Sequence, residues 1–386
     1  MEVEEQMILE NLVVKQFQRV SPSRYTAMQT CLLREVWAAS GNEPLLPPSP
    51  VAELGFVIHQ LLEVASRGQL DDGGKAKVEA VWDELILEIE KKMTFRRLSK
   101  HLVPLTRSIS DFEVRKIRAF RRAAEIAHDA LRAHDGRYKH SLEPMGFELW
   151  VENDTGQVGG YIDRVMTTED GVVLCDYKSG ALLETGTGGV PGDLKRAYKV
   201  QLSLYAALYH IKYGIWPVRL ELVPLQGTPM KVDFEPKDAE CLIVEASEFL
   251  HAANKRIAQV EDLRADSTDL ASPQATNCRF CLFRPACHAY WVARGHESEE
   301  KWPADVQGFL REMTCLRNGK VSMRLAEDDS YTSHIATVRN LTDRVERHPF
   351  LDRIQIGNEV AIYGLEYNYH SGDYTETQNT VIYMIY

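Results

Sequence analysis

Two acids and a lysine carry the strongest chemical signal in this 386-residue chain. Asp163 lies in the run Gly160-Tyr161-Ile162-Asp163-Arg164-Val165, and Asp176 follows Val172-Val173-Leu174-Cys175 in the triplet Asp176-Tyr177-Lys178. Glu169-Asp170-Gly171 between them has turn chemistry, so the acids are predicted on neighbouring strands of a β-hairpin. Two carboxylates held together repel, and a divalent cation between them keeps both ionised. Lys178, two residues past Asp176, points to the same side of its strand because side chains alternate with period two. A hard cation with an ammonium beside it suits phosphodiester hydrolysis: the cation activates water and the ammonium offsets charge on the phosphate. An Asp-x-Lys triplet also fits an ordinary hairpin with solvated charges, so the neighbouring elements must decide.

Gly55-Phe56-Val57-Ile58-His59 opens an apolar stretch of helical period that continues through Leu61, Leu62 and Ala65, with His59 one turn in. Gln201-Leu202-Ser203-Leu204-Tyr205 opens a second, with Leu204, Leu208 and Ile211 at helical spacing and Gln201 and Tyr205 on one face. In this order, Gly-x-x-x-His, Gly-x-x-Asp-Arg, Asp-Tyr-Lys and Gln-x-x-x-Tyr, the chain resembles the RecB-like branch of the PD-(D/E)XK nucleases. That branch includes the CRISPR-associated RecB-like exonucleases and the AddB nuclease domain. The resemblance implies that His59, Asp163, Asp176 and the Tyr177 carbonyl bind Mg²⁺ or Mn²⁺ and that Lys178 is the catalytic lysine. It also implies that Gln201 and Tyr205 complete the site, and that products carry 5′-phosphate and 3′-hydroxyl ends. Glu143 matches an acidic position before the hairpin loosely.

Three of the seven cysteines form Cys278-x2-Cys281-x5-Cys287. Close thiolates in a cytosolic chain favour a metal over disulfides, and Cys31, after Ser21-Pro22-Ser23-Arg24-Tyr25, is the candidate fourth ligand. RecB-like nucleases with an iron-sulfur staple share this layout, so the resemblance implies a 4Fe-4S cluster on Cys31, Cys278, Cys281 and Cys287. Structural zinc suits four cysteines too. A cluster there closes a very long loop and so locks the fold. Cys175, Cys241 and Cys315 lack partners at suitable spacing and read as buried apolar residues.

The formal charge of −11 rules out nucleic-acid binding through bulk charge and leaves it to local basic patches. One such patch is the helical stretch Val114 to Leu131, with Arg115, Arg118, Arg121 and Arg122, which fits either a phosphate-tracking surface or a solvated face. Another helical stretch runs from Val78 to Leu87. The N-terminus lacks signal-peptide character, and no apolar run reaches the roughly 18 residues of a membrane helix, so a cytoplasmic location is expected. The glycine-rich segment 180–193 lacks the Gly-Lys-Ser/Thr ending of a phosphate loop. Beside Lys178 it fits a flap over the site or a linker.

After Cys287 the pattern changes. A polar linker is expected over 294–304, then short strands at Lys320–Leu325, Ser333–Val338, Glu359–Tyr363 and Thr380–Tyr386, with one helix at Arg339–Leu351. That layout is close to an OB-fold, a small barrel that often grips single strands, although the fold's helix usually follows its third strand. Tyr331, Tyr363, Tyr367, Tyr369 and Tyr374 are candidates for stacking on bases.

The expected architecture is an α/β restriction-endonuclease-like core over 1–293, a mixed sheet flanked by helices with a helical insertion at about 60–140. A small all-β OB-like barrel over 305–386 follows. The expected activity is that of a metal-dependent DNA nuclease acting on single strands or DNA ends, in repair or anti-phage defence. With no helicase motif, unwinding falls to a helicase or defence-system partner. The alternatives are a non-catalytic DNA-binding or assembly subunit, and a nuclease acting on RNA.

Overall fold

A computed structural model describes residues 12–70, 74–134, 146–185, 192–296, 301–327, 336–343, 347–348 and 351–385. Glu143, Tyr331, Gly186, Gly188 and Gly189 lie outside them. The first sheet has the order β1 (Gly146–Glu152), β2 (Gly159–Thr168), β3 (Gly171–Lys178), β4 (Arg219–Pro224), β5 (Met230–Val232). Its pairings are antiparallel except β3 with β4. A parallel pair needs a long crossover, which helix α7 (Arg196–Tyr213) supplies. β3 is buried from Val172 through Tyr177, as expected of a central strand covered on both faces. The hairpin and both flanking helices lie where the sequence places them.

One face of the sheet packs against α7, α8 (Pro236–Glu261) and α1 (Pro22–Thr30), in a core that includes Val172, Leu174, Leu202 and Leu208. The other packs against α3 (Pro50–Ser66) and α6 (Phe112–His134), with α4 (Gly74–Phe95) outside and the short α5 (Leu105–Ser108) between. Helix α3 starts with proline at its first position and buries Leu54, Val57, Ile58, Leu61, Leu62 and Ala65, a stripe at three- and four-residue spacing. Gly214 ends α7 in the left-handed region, its N–H donated to the His210 carbonyl. Helices α2 (Leu32–Ala39), α9 (Ala275–Cys278) and α10 (His288–His296) surround the cysteine segment.

The second sheet contains β6 (Ala304–Cys315), β7 (Lys320–Ala326), β8 (Ala336–Thr342), β9 (Glu359–Asn368), β10 (Asp373–Thr375) and β11 (Val381–Ile385). β10 pairs in parallel with β8 and antiparallel with β9, which closes β6-β7-β8-β10-β9 into a ring. β11 adds to β9. Val306, Leu310, Met323, Val338 and Ile362 belong to its core.

The C-terminal half corrects several expectations. Arg339–Thr342 continues strand β8 instead of opening a helix, and no helix lies between β8 and β9 among the described residues. Val338 pairs with Met323 and Leu341 with Val321, so β8 spends three residues where β7 spends two, and Asn340 has φ 62°. A bulge of this kind spaces apolar residues by three and imitates a helical period. Strand β6 has no counterpart among the expected runs. The expected linker is partly structured: α10 extends to His296, β6 begins at Ala304, and Trp302 packs against Tyr290 at 5.7 Å between ring centroids. Cys175 is buried, but Cys241 and Cys315 are exposed. Among the described residues no helix is long and apolar enough to cross a membrane.

Candidate active site

The site forms where β2 changes face. Ile162 and Val165 both enter the core beneath α7 although they are three residues apart, so the alternation breaks between them. Asp163, inside the break, turns toward α3 and accepts hydrogen bonds from His59 Nε2 (3.1 Å) and the Tyr177 N–H (2.7 Å) on the same oxygen. Asp176 is 2% exposed on β3; its Oδ1 accepts from Gln201 Nε2 at 2.7 Å and its Oδ2 lies 2.5 Å from Lys178 Nζ. Lys178 also donates to Gln201 Oε1 at 3.1 Å and stands 4.9 Å from the Tyr198 ring centre. Acid, lysine and glutamine thus form a closed triangle beneath the hairpin's open end. His59, Asp163, Asp176, Lys178 and Gln201 lie in one site, and Tyr205 lines its back.

The glycines of the pattern have steric roles. A Cβ on Gly160 would sit 3.0 Å from Pro22 Cδ and 3.2 Å from the Tyr205 hydroxyl, so β2 presses there onto α1 and α7. A Cβ on Gly55 would meet Ser179 Oγ at 3.1 Å, which sets how closely α3 approaches the strand carrying Lys178.

Sequence reasoning missed Glu148. It lies on β1 opposite Asp163, between the pairs Phe147–Arg164 and Leu149–Ile162, with φ 48°. His59, Glu148 and Asp163 each bring a ligand atom within 4.8 Å of the others. The strand itself is not among the expected elements, so nothing in the sequence sets this acid apart from its neighbours; the loose match at Glu143 falls five residues early.

The electrostatics are those of crowded negative charge. Burial, then the Asp163 charge, pushes the Asp176 carboxyl up to about 7 against the pull of Lys178. Glu148 is raised by burial and by the Asp163 and Glu63 charges. The hydrogen bond to Asp163 raises His59 above its ordinary value. These three shifts favour protons where a divalent cation would favour none, and the donor set of imidazole and carboxylate oxygens fits a cation such as Mg²⁺ or Mn²⁺.

Cys31, Cys278, Cys281 and Cys287 line one pocket with Arg34, Trp37, Arg284 and Tyr290. Cys31 sits in extended backbone at the junction of α1 and α2, which aims it at the later segment. Burial raises the thiols of Cys281 to about 11 and Cys287 to about 12.

The candidate nucleic-acid contacts divide. Arg118 and Arg121 are exposed on α6, whereas Arg115 is paired with Asp111 and Arg122 is buried, bonded to Glu125 and the Gly227 carbonyl. Tyr363 is 1% exposed, and its hydroxyl accepts from Trp291 Nε1 at 3.2 Å. That ring is an interface residue and is closed to a base. Tyr367 and Tyr369 remain accessible, their rings 5.0 Å apart. The glycine-rich segment is tied at both ends by a bridge between Leu183 and Leu194 and by Glu184 N–H to the Asp193 carbonyl.

A mixed sheet between helices, with two acids and a lysine at the open end of its central hairpin, defines a protein of the phosphodiester-cleaving nuclease class. This chain belongs to the PD-(D/E)XK nuclease superfamily, whose family model matches residues 19–288. It is also 27% identical over 120 residues to an ATP-dependent helicase/nuclease subunit from Streptococcus equi subsp. zooepidemicus (strain MGCS10565). That match takes in 31% of this chain and 9% of that protein's length. A solved structure described as the crystal structure of SSO0001 aligns over 52% of this chain and 97% of its own, at 15% identity and a TM-score of 0.21, too low for a structural argument.

Proposed function

We propose that the protein is a metal-dependent deoxyribonuclease of the RecB-like branch. The observation that carries this reading is the convergence of His59, Glu148 and Asp163 within 4.8 Å, beside the Asp176–Lys178–Gln201 triangle. A divalent cation bound there supplies Lewis-acid stabilisation of the phosphate and a water of lowered pKa. His59, Asp163 and Asp176 hold it, with Glu148 as an added oxygen donor and the Tyr177 carbonyl as the resemblance implies. Asp163 is oriented by the Tyr177 N–H, and Asp176 by Gln201. Lys178 keeps its ammonium beside the attacked phosphate and offsets charge that grows in the transition state. Tyr205 and Gln201 fix the lysine's side of the site.

The four cysteines hold a 4Fe-4S cluster that staples α1 and α2 to the segment before β6, a reading supported by the pocket they share. The C-terminal ring is an OB-like barrel: numbered in chain order, its strands run 1-2-3-5-4 and close back on 1, with the third and fifth parallel. Such a barrel suits a substrate with single-stranded character, with a helicase or defence-system partner opening the duplex in repair or anti-phage defence.

The test is cleavage of end-labelled single-stranded DNA, duplex DNA and RNA in competition, with Mg²⁺ or Mn²⁺ and anaerobically purified protein. Metal-dependent cutting of DNA ahead of RNA is expected. Cutting of RNA alone would reassign the substrate, and binding without cutting by cluster-loaded protein would give the chain an assembly role instead.

A further inference from the structure

On the open face of β1 and β2, next to the catalytic acids, stands an aromatic surface that the hydrolytic site does not use. Trp150 and Tyr161 are directly opposite one another in the strand register, their ring centres 4.8 Å apart in an edge-to-face pair. Tyr161 is 54% exposed. The Arg19 guanidinium lies 4.9 Å from the Trp150 ring centre and is braced by Glu152 at 3.1 Å. Arg19 is placed there by the chain itself, since Val20 bridges Val158 in parallel just before β2 begins. Lys212, from the end of α7, donates to the Trp150 carbonyl and adds a second cation.

Two features separate this surface from an ordinary cross-strand pair. The first is position: Tyr161 precedes Asp163 by two residues on one strand, about 7 Å along it, close to one nucleotide step from the scissile phosphate. The second is rigidity. Behind Tyr161, Gly160 is packed against Pro22 and Tyr205, so the strand cannot retreat and the ring is held outward at low entropic cost. Exposed aromatic rings flanked by cations stack unpaired bases, whatever their sequence, while a base inside a duplex has no free face to offer.

We propose that Tyr161, with Trp150 and Arg19 behind it, is a stacking platform for the unpaired base adjoining the cleaved phosphodiester. This makes the nuclease domain itself a selector for single-stranded ends. The inference rests on the nuclease reading above and names the substrate feature that the same site would recognise.

The experiment measures KM and kcat on a single-stranded oligonucleotide for the full-length protein and for Tyr161→Ala and Tyr161→Trp. It is repeated with an abasic residue introduced at each of the positions around the cut. Tyr161→Ala is expected to raise KM about tenfold, the usual worth of one stacked base, with the loss in KM rather than kcat. Tyr161→Trp should restore it. On the oligonucleotide whose abasic residue falls at the stacked position, wild type and Tyr161→Ala should have the same KM. A 2-aminopurine at that position should lose fluorescence on binding wild type and retain it with Tyr161→Ala. Unchanged KM in a cleaving Tyr161→Ala protein, or an equal penalty on intact and abasic substrates, would overturn the platform and leave the nuclease standing. Absence of metal-dependent cleavage by the wild type would overturn both.

Discussion

Arg284 and Asp305 join the cysteine segment to the C-terminal ring through a buried ion pair, Nε to Oδ2 at 2.8 Å, with Asp305 0% exposed. Arg284 also donates to the carbonyls of Cys278 and Cys281 at 3.0 Å each, so one side chain clasps the loop that carries three of the four cysteines. Asp305 accepts in addition from the Tyr290 hydroxyl and the Gly364 N–H, both at 2.8 Å. Every polar atom of the pair is therefore engaged, the condition under which a buried charge pair is tolerated. The Trp291–Tyr363 bond and the Tyr383 hydroxyl on the Leu45 carbonyl extend the same interface.

Removing one member strands the other. Asp305→Ala should cost about 3–5 kcal/mol of unfolding free energy, the usual penalty for an unpaired buried charge. Denaturant unfolding with tryptophan fluorescence would measure it. A variant as stable as wild type would mean the two parts are held together elsewhere.

The cysteine pocket makes a spectroscopic prediction. Anaerobically purified protein should contain about four iron and four sulfide per chain with broad absorbance near 400 nm, and Cys287→Ser should lower both and the melting temperature together. Stoichiometric zinc without sulfide would replace the cluster with a structural metal.

Gly160 is closed to a side chain by Pro22 Cδ at 3.0 Å and the Tyr205 hydroxyl at 3.2 Å. Gly160→Ala should therefore destabilise by roughly 1–3 kcal/mol, as overpacking does, and displace Tyr205 from the site. Thermal unfolding alongside cleavage rate checks both effects; a neutral outcome would mean that α1 or α7 gives way freely.

Asp176 connects the site to pH. Its carboxyl is raised to about 7, first by burial and then by Asp163, with Lys178, His59, Gln201 and Tyr205 also facing it. The native state thus holds a proton that the unfolded chain releases near pH 4, so metal-free stability should fall as pH rises from about 4 to about 7. His59, raised by Asp163, acts in the same direction at the upper end of that window. Asp176→Asn should flatten the slope in a thermal-shift series, and a divalent cation at pH 8 should raise the wild-type melting temperature. Equal slopes in the two proteins would contradict the assignment.

Much of the candidate site was legible in the sequence because its residues sit on local patterns: a hairpin with a turn signal, two periodic helices, and acids whose spacing to glycine, lysine and glutamine is short. Glu148 was not legible. It reaches Asp163 only because β1 adds beside β2 and bends into the left-handed region at that residue, a tertiary fact with no local signature. The start of the helix expected at Arg339–Leu351 is a strand for a related reason, since the bulge at Asn340 reset the apolar spacing from two to three. Tyr363 looked like a base-stacking residue because an aromatic strand residue reads the same whether its face meets solvent or a packed helix. Its burial was decided by the packing of Trp291 from α10 on the second sheet, beside Tyr383 of the neighbouring strand β11.

The central claim is that Asp163, Asp176 and Lys178 cleave phosphodiesters with a bound cation. The most direct measurement is single-turnover cleavage of an end-labelled single strand by wild type, Asp163→Asn and Lys178→Ala, with binding of the same strand measured in parallel. Rates at least about 100-fold lower in both variants, with binding within a few-fold of wild type, are predicted. Cleavage that persists at the wild-type rate in either variant would contradict the account.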